Sequence, residues 1–264
     1  MATASSAPAW PFRAWGSAVS ASAQLLDRLP DLPRHVEARG LLLSGRCEVL
    51  AAGDGALLCA RETPLVCVVG RPGPAAFAQV LAGAGEHEFL APATERAFVQ
   101  SALDEWEAEE AAVHVLPEGT PLPPPLPGID VGCLDQGDEE SLPTMPEDLA
   151  HELRTVLPHG LVVVAFDGDE PASFAYASWT TEGWFDLSVD TLAAHRRRRL
   201  AEAAARELMA LQGAAGRRPV WGAAESNLAS RGLARKLGFV EVDRLVVFTR
   251  RRGEAAAGPQ AALS

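Results

Sequence analysis

The chain has 264 residues, 48% of them hydrophobic and 22% charged, enough to bury one large core or two modest ones. No apolar run approaches the ~18 residues that span a bilayer. A net charge of −12 speaks against a nucleic-acid or membrane partner, because attraction to phosphate acts over the whole footprint. The four cysteines (Cys47, Cys59, Cys67, Cys133) lack CxxC spacing and are expected as buried free thiols in a reducing cytoplasm. The charge is unevenly placed. Arg196 to Arg252 holds 14 basic and 5 acidic residues, a local balance of +9 that leaves −21 on the rest. A compact basic segment in an acidic body suits a small polyanionic ligand, and a solvated helix face is the plain alternative.

In chain order, "MATASSAPAWPFRAWGSAVSASAQLL" has no basic start followed by a compact apolar run and reads as a loose N-terminus rather than a signal peptide. "CEVLAA", "ALLCARE" and "PLVCVVG" predict three strands, "GPAAFAQVLAGA" a helix and "HEFLAP" a strand. "ATERAFVQSALDEWEAE" then predicts a helix and "AAVHVL" a strand. "PEGTPLPPPLPG" is too proline-rich for helix or central strand and predicts an extended linker, continued by the acidic, turn-rich "DQGDEESLPTMPED". The expected organisation is a first domain over 1–117, a linker over 118–140, a second domain over 141–252 and a flexible tail over 253–264.

The second half is patterned more clearly. "PEDLAHELRTVL" predicts a helix, and "LVVVAF", "ASFAYASW" and "GWFDLSV" predict strands. A helix over 196–212 stacks Leu200, Ala204, Leu208 and Leu211 on one face. "RPVWGAA" is a strand, a second helix starts near Asn227 and ends before Gly238, and "FVEVDRLVVFTR" is a long last strand. The first half repeats this order faintly, which predicts an internal structural duplication in a mixed α/β fold.

The chemistry concentrates in "WFDLSVDTLAAHRRRRLA". A strand that runs through a short loop into a helix N-terminus presents unpaired N–H groups and a positive dipole end, a ready anion site, and Arg196, Arg197, Arg198 and Arg199 add charge suited to a diphosphate. Farther on, "VWGAAESNLASRGLARKLGF" supplies a strand, a polar turn and a short helix. At their mutual spacing the two runs resemble the GNAT superfamily of acyl-CoA-dependent N-acyltransferases over about residues 145–250. The likeness is nearest to the branch with a degenerate N-terminal half that includes the zwittermicin A resistance acetyltransferases.

That resemblance implies a GNAT fold in the C-terminal half, a degenerate GNAT-like first half, and acetyl-CoA as co-substrate. It implies a pyrophosphate loop of the form Arg/Gln-x-x-Gly-x-Gly/Ala, here Arg196 to Ala201 with Arg199 in the first glycine slot and Leu200 beside it. It places Leu187, Ser188 and Val189 along the pantetheine arm and Asn227 near it, although Asn227 or Ser226 would also serve as a plain helix cap. Acyl transfer to an amine needs a base, for which Asp186 is the first candidate, with Asp190 and Glu182 behind it. The family tyrosine that serves as acid corresponds to Ala234, so Ser230 or water would protonate the leaving thiolate; the only tyrosine is Tyr176. Trp179, Trp184 and Trp221 belong to a core or to an acceptor pocket. The six histidines have no ligand spacing, so no metal is expected. The first half's counterpart loop, "VVGRPGPAAF", puts Pro72 and Pro74 where N–H donors are needed, so no second coenzyme is expected there.

The resulting expectation is an acetyl-CoA-dependent N-acetyltransferase acting on a primary amine of a small molecule, in the cytoplasm, as a monomer or homodimer. The alternative is a catalytically silent acyl-CoA-binding or regulatory module, which Arg199 and Ala234 favour. A DNA-binding helix at 195–209 is disfavoured by the −21 body.

Overall fold

The computed structural model describes residues 15–83, 85–135, 137–138, 142 and 145–250. Helices α1 (Trp15–Arg28) and α2 (Val36–Ser44) precede β1 (Cys47–Ala60), β2 (Leu65–Pro72), α3 (Pro74–Leu81), β3 (Glu88–Pro92), α4 (Arg96–Ala102) and β4 (Trp106–Val115). After a proline-rich crossing come β5 (Val131–Leu134), α5 (Glu147–Val156), β6 (Val162–Asp167), β7 (Glu170–Thr180) and β8 (Trp184–Thr191). Helix α6 (Leu200–Ala214), β9 (Arg218–Ala224), α7 (Leu228–Lys236) and β10 (Val240–Arg250) complete the described chain. No helix among the described residues is long and apolar enough to cross a membrane. The tail expected over 253–264 lies outside them.

Four local expectations are corrected. The stretch read as a loose N-terminus contains α1 from Trp15 onward. "CEVLAA" and "ALLCARE" form one strand rather than two, with Gly53 at φ +63° inside it where the ladder with β2 begins. The helix expected over "ATERAFVQSALDEWEAE" stops at Ala102, and Trp106 starts β4. There the pairing of β4 with both β10 and β9 outweighs the helix preference of Glu107, Glu109 and Glu110. Within the segment read as a linker, Val131–Leu134 adds β5 to the edge of the sheet. The proline run itself forms neither helix nor strand and crosses α6, where Leu122 and Leu126 pack on its core.

All ten strands join one mixed sheet in the order β1-β2-β3-β10-β4-β9-β8-β7-β6-β5. The last strand, β10, lies between β3 and β4, antiparallel to both, so the two halves share hydrogen bonds rather than merely touching. Helix α2 packs against β1 and β2 and also against β7 and β8, which are far apart in this order. The sheet therefore curls around α1 and α2. Its concave lining brings Cys67, Val69, Val113, Trp179, Val220 and Leu245 into one core with Leu41. On the outer face, Leu200, Ala204 and Leu208 of α6 lie in the core with Phe185 and Leu187. A fully buried leucine such as Leu208 contributes on the order of 2 kcal/mol there.

Candidate active site

Strands β8 and β9 run parallel and pair only from Trp184–Arg218 to Asp186–Val220. Beyond that point β8 continues against β7 alone and β9 against β4 alone. The strands separate after Asp186, opening a cleft walled by backbone. Alternation along β8 sends Phe185 and Leu187 into the core under α6 and leaves Asp186, Ser188 and Asp190 on the opposite face.

The loop from β8 to α6 carries the four arginines, all exposed. Arg197 and Arg199 hold left-handed backbone, with φ +65° and +67°. Arg199 is the N-cap of α6, and no side chain caps that end. The first-turn N–H groups of α6 are consequently turned outward without helical partners, beneath the positive end of the helix dipole. The side chains are arranged around this opening. Arg198 bonds the Asp167 carboxylate, which also accepts from His195 Nδ1 at 2.7 Å. Arg199 makes two bonds to Glu202, at 2.9 and 3.2 Å. Glu202 is nearly fully buried and also meets Arg206 at 2.8 Å and Lys236 of α7 at 2.6 Å, and the Arg199 guanidinium heads the contacts that hold its carboxyl down to about 2. No ion pair occurs for Arg196 or Arg197 among the described residues, and Arg196 Nε donates to Thr191 O at 3.4 Å.

On the other side of the cleft the site is acidic. Burial raises the Asp186 carboxyl to about 7, and burial together with Asp190 raises Glu152 of α5 to about 7. Burial and the Asp186 charge raise Glu37 of α2 to about 8. The Tyr176 hydroxyl donates to Asp190 Oδ2 at 2.7 Å. Ser178 and Ser188 hydroxyls share a 2.8 Å bond beside them.

Two features of sequence hold α2 over this face. Gly40 faces β7 so closely that a Cβ there would meet Trp179 Cβ at 2.9 Å and Thr180 O at 3.2 Å. Arg39 grips Glu182 in the β7–β8 turn with bonds of 2.8 and 2.6 Å and donates to Leu29 O at 2.6 Å. Asp31 completes the clamp by accepting from Thr181 Oγ1 at 2.6 Å and Gly183 N–H at 2.8 Å.

Residues 151–248 match the family model described as GNAT acetyltransferase. A GCN5-related N-acetyltransferase-like protein from Streptococcus suis superposes with a TM-score of 0.67 at 18% identity, covering 88% of this chain and 100% of that one. A GCN5-related N-acetyltransferase from Kribbella flavida gives a TM-score of 0.56 at 15% identity, with 92% and 98% covered. A GNAT-family acetyltransferase from Colwellia psychrerythraea gives 0.56 at 11%, with 91% and 98% covered. The chain has the GNAT fold. No curated protein matches the sequence.

In this GNAT framework the residues expected at the coenzyme lie together: Leu187, Ser188 and Val189 on the β8 wall, and Arg196 to Ala201 at the loop and first turn of α6. Asn227 caps α7 by accepting from Ser230 N–H at 3.0 Å. Ser230 is buried and its hydroxyl accepts from Trp221 Nε1 at 2.8 Å, and Ala234 is fully buried in the same core. Of the tryptophans considered for an acceptor pocket, Trp221 stacks edge-on with Phe239 in the core, Trp179 lies under Arg46, and Trp184 lies under Arg218. Glu182, a lesser candidate for the base, is occupied by Arg39. Cys133 is exposed rather than buried, since it sits on the edge strand β5. The sequence reading missed Glu37 and Glu152. Glu152 faces inward within the amphipathic pattern of α5 and was legible as an acid on an apolar face, whereas nothing local marks Glu37.

Proposed function

We infer that the protein is an acyl-CoA-dependent N-acyltransferase that moves acetyl from acetyl-CoA to a primary amine of a small molecule. The observation that carries this reading is the cleft between β8 and β9, which has a helix end suited to an anion on one side and the half-buried carboxyl of Asp186, raised to about 7, on the other. The diphosphate of the coenzyme is suited to the outward N–H groups of α6 and to Arg196 and Arg197. The pantetheine arm fits the opened edge of β8 along Leu187 to Val189, where a backbone N–H can polarise the thioester carbonyl. With its raised value, Asp186 is poised to take a proton from an incoming ammonium near neutral pH. Ser230 keeps a hydroxyl proton to give, because its oxygen only accepts from Trp221. The acidic face around Asp186 favours a cationic acceptor over a neutral or anionic one.

We read the first half as a degenerate GNAT-like unit without coenzyme, as in the zwittermicin A resistance branch. Its parallel strands β2 and β3 separate like β8 and β9, but Pro72 and Pro74 remove N–H donors at the loop that follows. Calorimetry with acetyl-CoA should give one equivalent per chain. Thiol release across a panel of amines should give turnover with primary amines. Two equivalents would contradict the reading of the first half. Coenzyme binding without thiol release from any amine would favour a silent acyl-CoA-binding module.

A further inference from the structure

Glu37 belongs to α2, the helix that packs against strands of both halves. It is half-buried there, outside the segment that matches the GNAT family model; α2 lies against β7 and β8, and Asp186 of β8 is on the face turned away from α6. Glu37 lines a cavity of about 220 Å³ where β2 and β3 diverge, with Cys67, Val69, Leu90, Ala91 and Leu245 as further walls. The cavity is mostly apolar, and Glu37 is its only carboxylate. Arg28 and Arg34 also line it, Arg28 donating to Asp54 O at 2.8 Å and Arg34 pairing with Asp243 at 3.0 Å. The position of Glu37 is fixed rather than incidental: Gly40, one turn on, seats α2 on β7, and the Arg39–Glu182 and Asp31 contacts lock that seat.

We propose that Glu37 is the acceptor-binding partner of Asp186, so that the attacking amine enters through the cavity of the first half and is held between one carboxyl from each half. The proposal rests on the N-acyltransferase reading and names a residue and an access route within it. An ammonium with an apolar stem satisfies both parts of the site, its stem along Val69, Leu90 and Leu245 and its charge at Glu37. Two neighbouring carboxyls repel when both are ionised, so near neutrality the pair carries one proton and one negative charge, and a cation is the ligand that relieves the repulsion. In the reaction the ammonium gives a proton to the ionised member of the pair. The freed nitrogen lone pair then bonds the thioester carbonyl carbon, and the C–S bond breaks. The departing thiolate takes a proton from Ser230, which regains one from the nitrogen, giving an amide and free coenzyme thiol, and the pair returns its proton to water. Besides Asp186, the titratable groups around Glu37 are Cys67 of β2 and His35 of its own segment, with Glu152 of α5 reaching Asp186 from the far side.

The test compares wild type, Glu37→Gln and Glu37→Asp in amine-dependent thiol release, with acetyl-CoA affinity and Tm measured alongside. Glu37→Gln should lower kcat/KM for the amine by at least about tenfold. The ascending limb should stay near pH 7, because burial raises Asp186, and Glu37, raised to about 8, is still protonated where Asp186 ionises. Acetyl-CoA affinity should stay within about twofold, and Glu37→Asp should recover part of the loss. Wild-type turnover with an unchanged kcat/KM for the amine in Glu37→Gln would overturn the role of Glu37 and leave the enzyme reading standing. A wild-type chain that binds acetyl-CoA and acylates no amine would overturn the reading beneath both.

Discussion

Arg197 and Arg199 adopt a left-handed backbone that costs a non-glycine residue about 1 kcal/mol each. At Arg199 the compensation is visible. Its guanidinium completes the partner set of buried Glu202, together with Arg206 and Lys236. The loop thus keeps a shape that glycine would adopt freely, and the side chain that replaces glycine is drawn away from the outward N–H groups. Glu202→Gln should destabilise the fold by about 1–3 kcal/mol at pH 7 in denaturant titration, since three cations lose their common acceptor. The Glu202 carboxyl sits at about 2, below its ordinary 4.5, so its contribution is present above pH 4.5 and lost as pH falls toward 2. The difference between variant and wild type should shrink over that window. The carboxyls across the cleft behave oppositely. Glu37, Asp186 and Glu152 are raised to about 8, 7 and 7, so folding favours their protonated forms, fully below the ordinary carboxylate range. That stabilisation is lost as pH rises through 7 and 8. Tm should therefore fall from pH 5.5 to pH 8.5, and a flat profile would show these groups to be better solvated than their burial implies.

At the scale of the element, α2 and the start of α6 decide how the two sides of the cleft are presented. Gly40 lets α2 approach β7 more closely than any side chain allows. Gly40→Ala should cost about 1–3 kcal/mol of stability, because the new methyl group must push back Trp179 Cβ and a backbone carbonyl. It should also lower turnover while leaving acetyl-CoA affinity nearly intact, since α2 lies on the acceptor side. At α6 the reverse holds. Replacing Arg196 and Arg198 with alanine should weaken acetyl-CoA binding and reduce its dependence on salt in calorimetry, and equal affinities at low and high salt would make the arginines a solvated surface. The strands of the second half were readable because their patterning is local: "RPVWGAA" coincides with β9, and the start of β8 alternates after a polar turn. The first half was less readable for physical reasons. Helix α2 packs its apolar run Leu41–Leu42 beside a glycine rather than at helical intervals, and the glutamates of β4 look helical until two partner strands are supplied.

At the scale of the whole molecule, one curled sheet joins both halves, with β10 threaded between β3 and β4. This arrangement was not legible in a sequence that divides visibly at "PEGTPLPPPLPG", because strand insertion depends on pairing between distant segments. For the same reason the coenzyme side of the site could be read from one continuous run, "SVDTLAAHRRRRLA", while on the acceptor side only Asp186 was read: Glu37 and Glu152 join it only when α2 is laid over β7 and β8 and α5 over β7. The separation of charge noted in the sequence survives in three dimensions, with arginines at the α6 loop and carboxyls on the opposite face. The central claim is that Asp186, at the point where β8 and β9 part, accepts the proton of an amine being acylated. The most direct measurement is the pH dependence of amine-driven thiol release from acetyl-CoA by wild type and by Asp186→Asn. The account predicts an ascending limb near pH 7 in the wild type, and in the variant a kcat at least about a hundredfold lower with little change in KM for acetyl-CoA. An Asp186→Asn protein with unchanged kcat and the same ascending limb would contradict it.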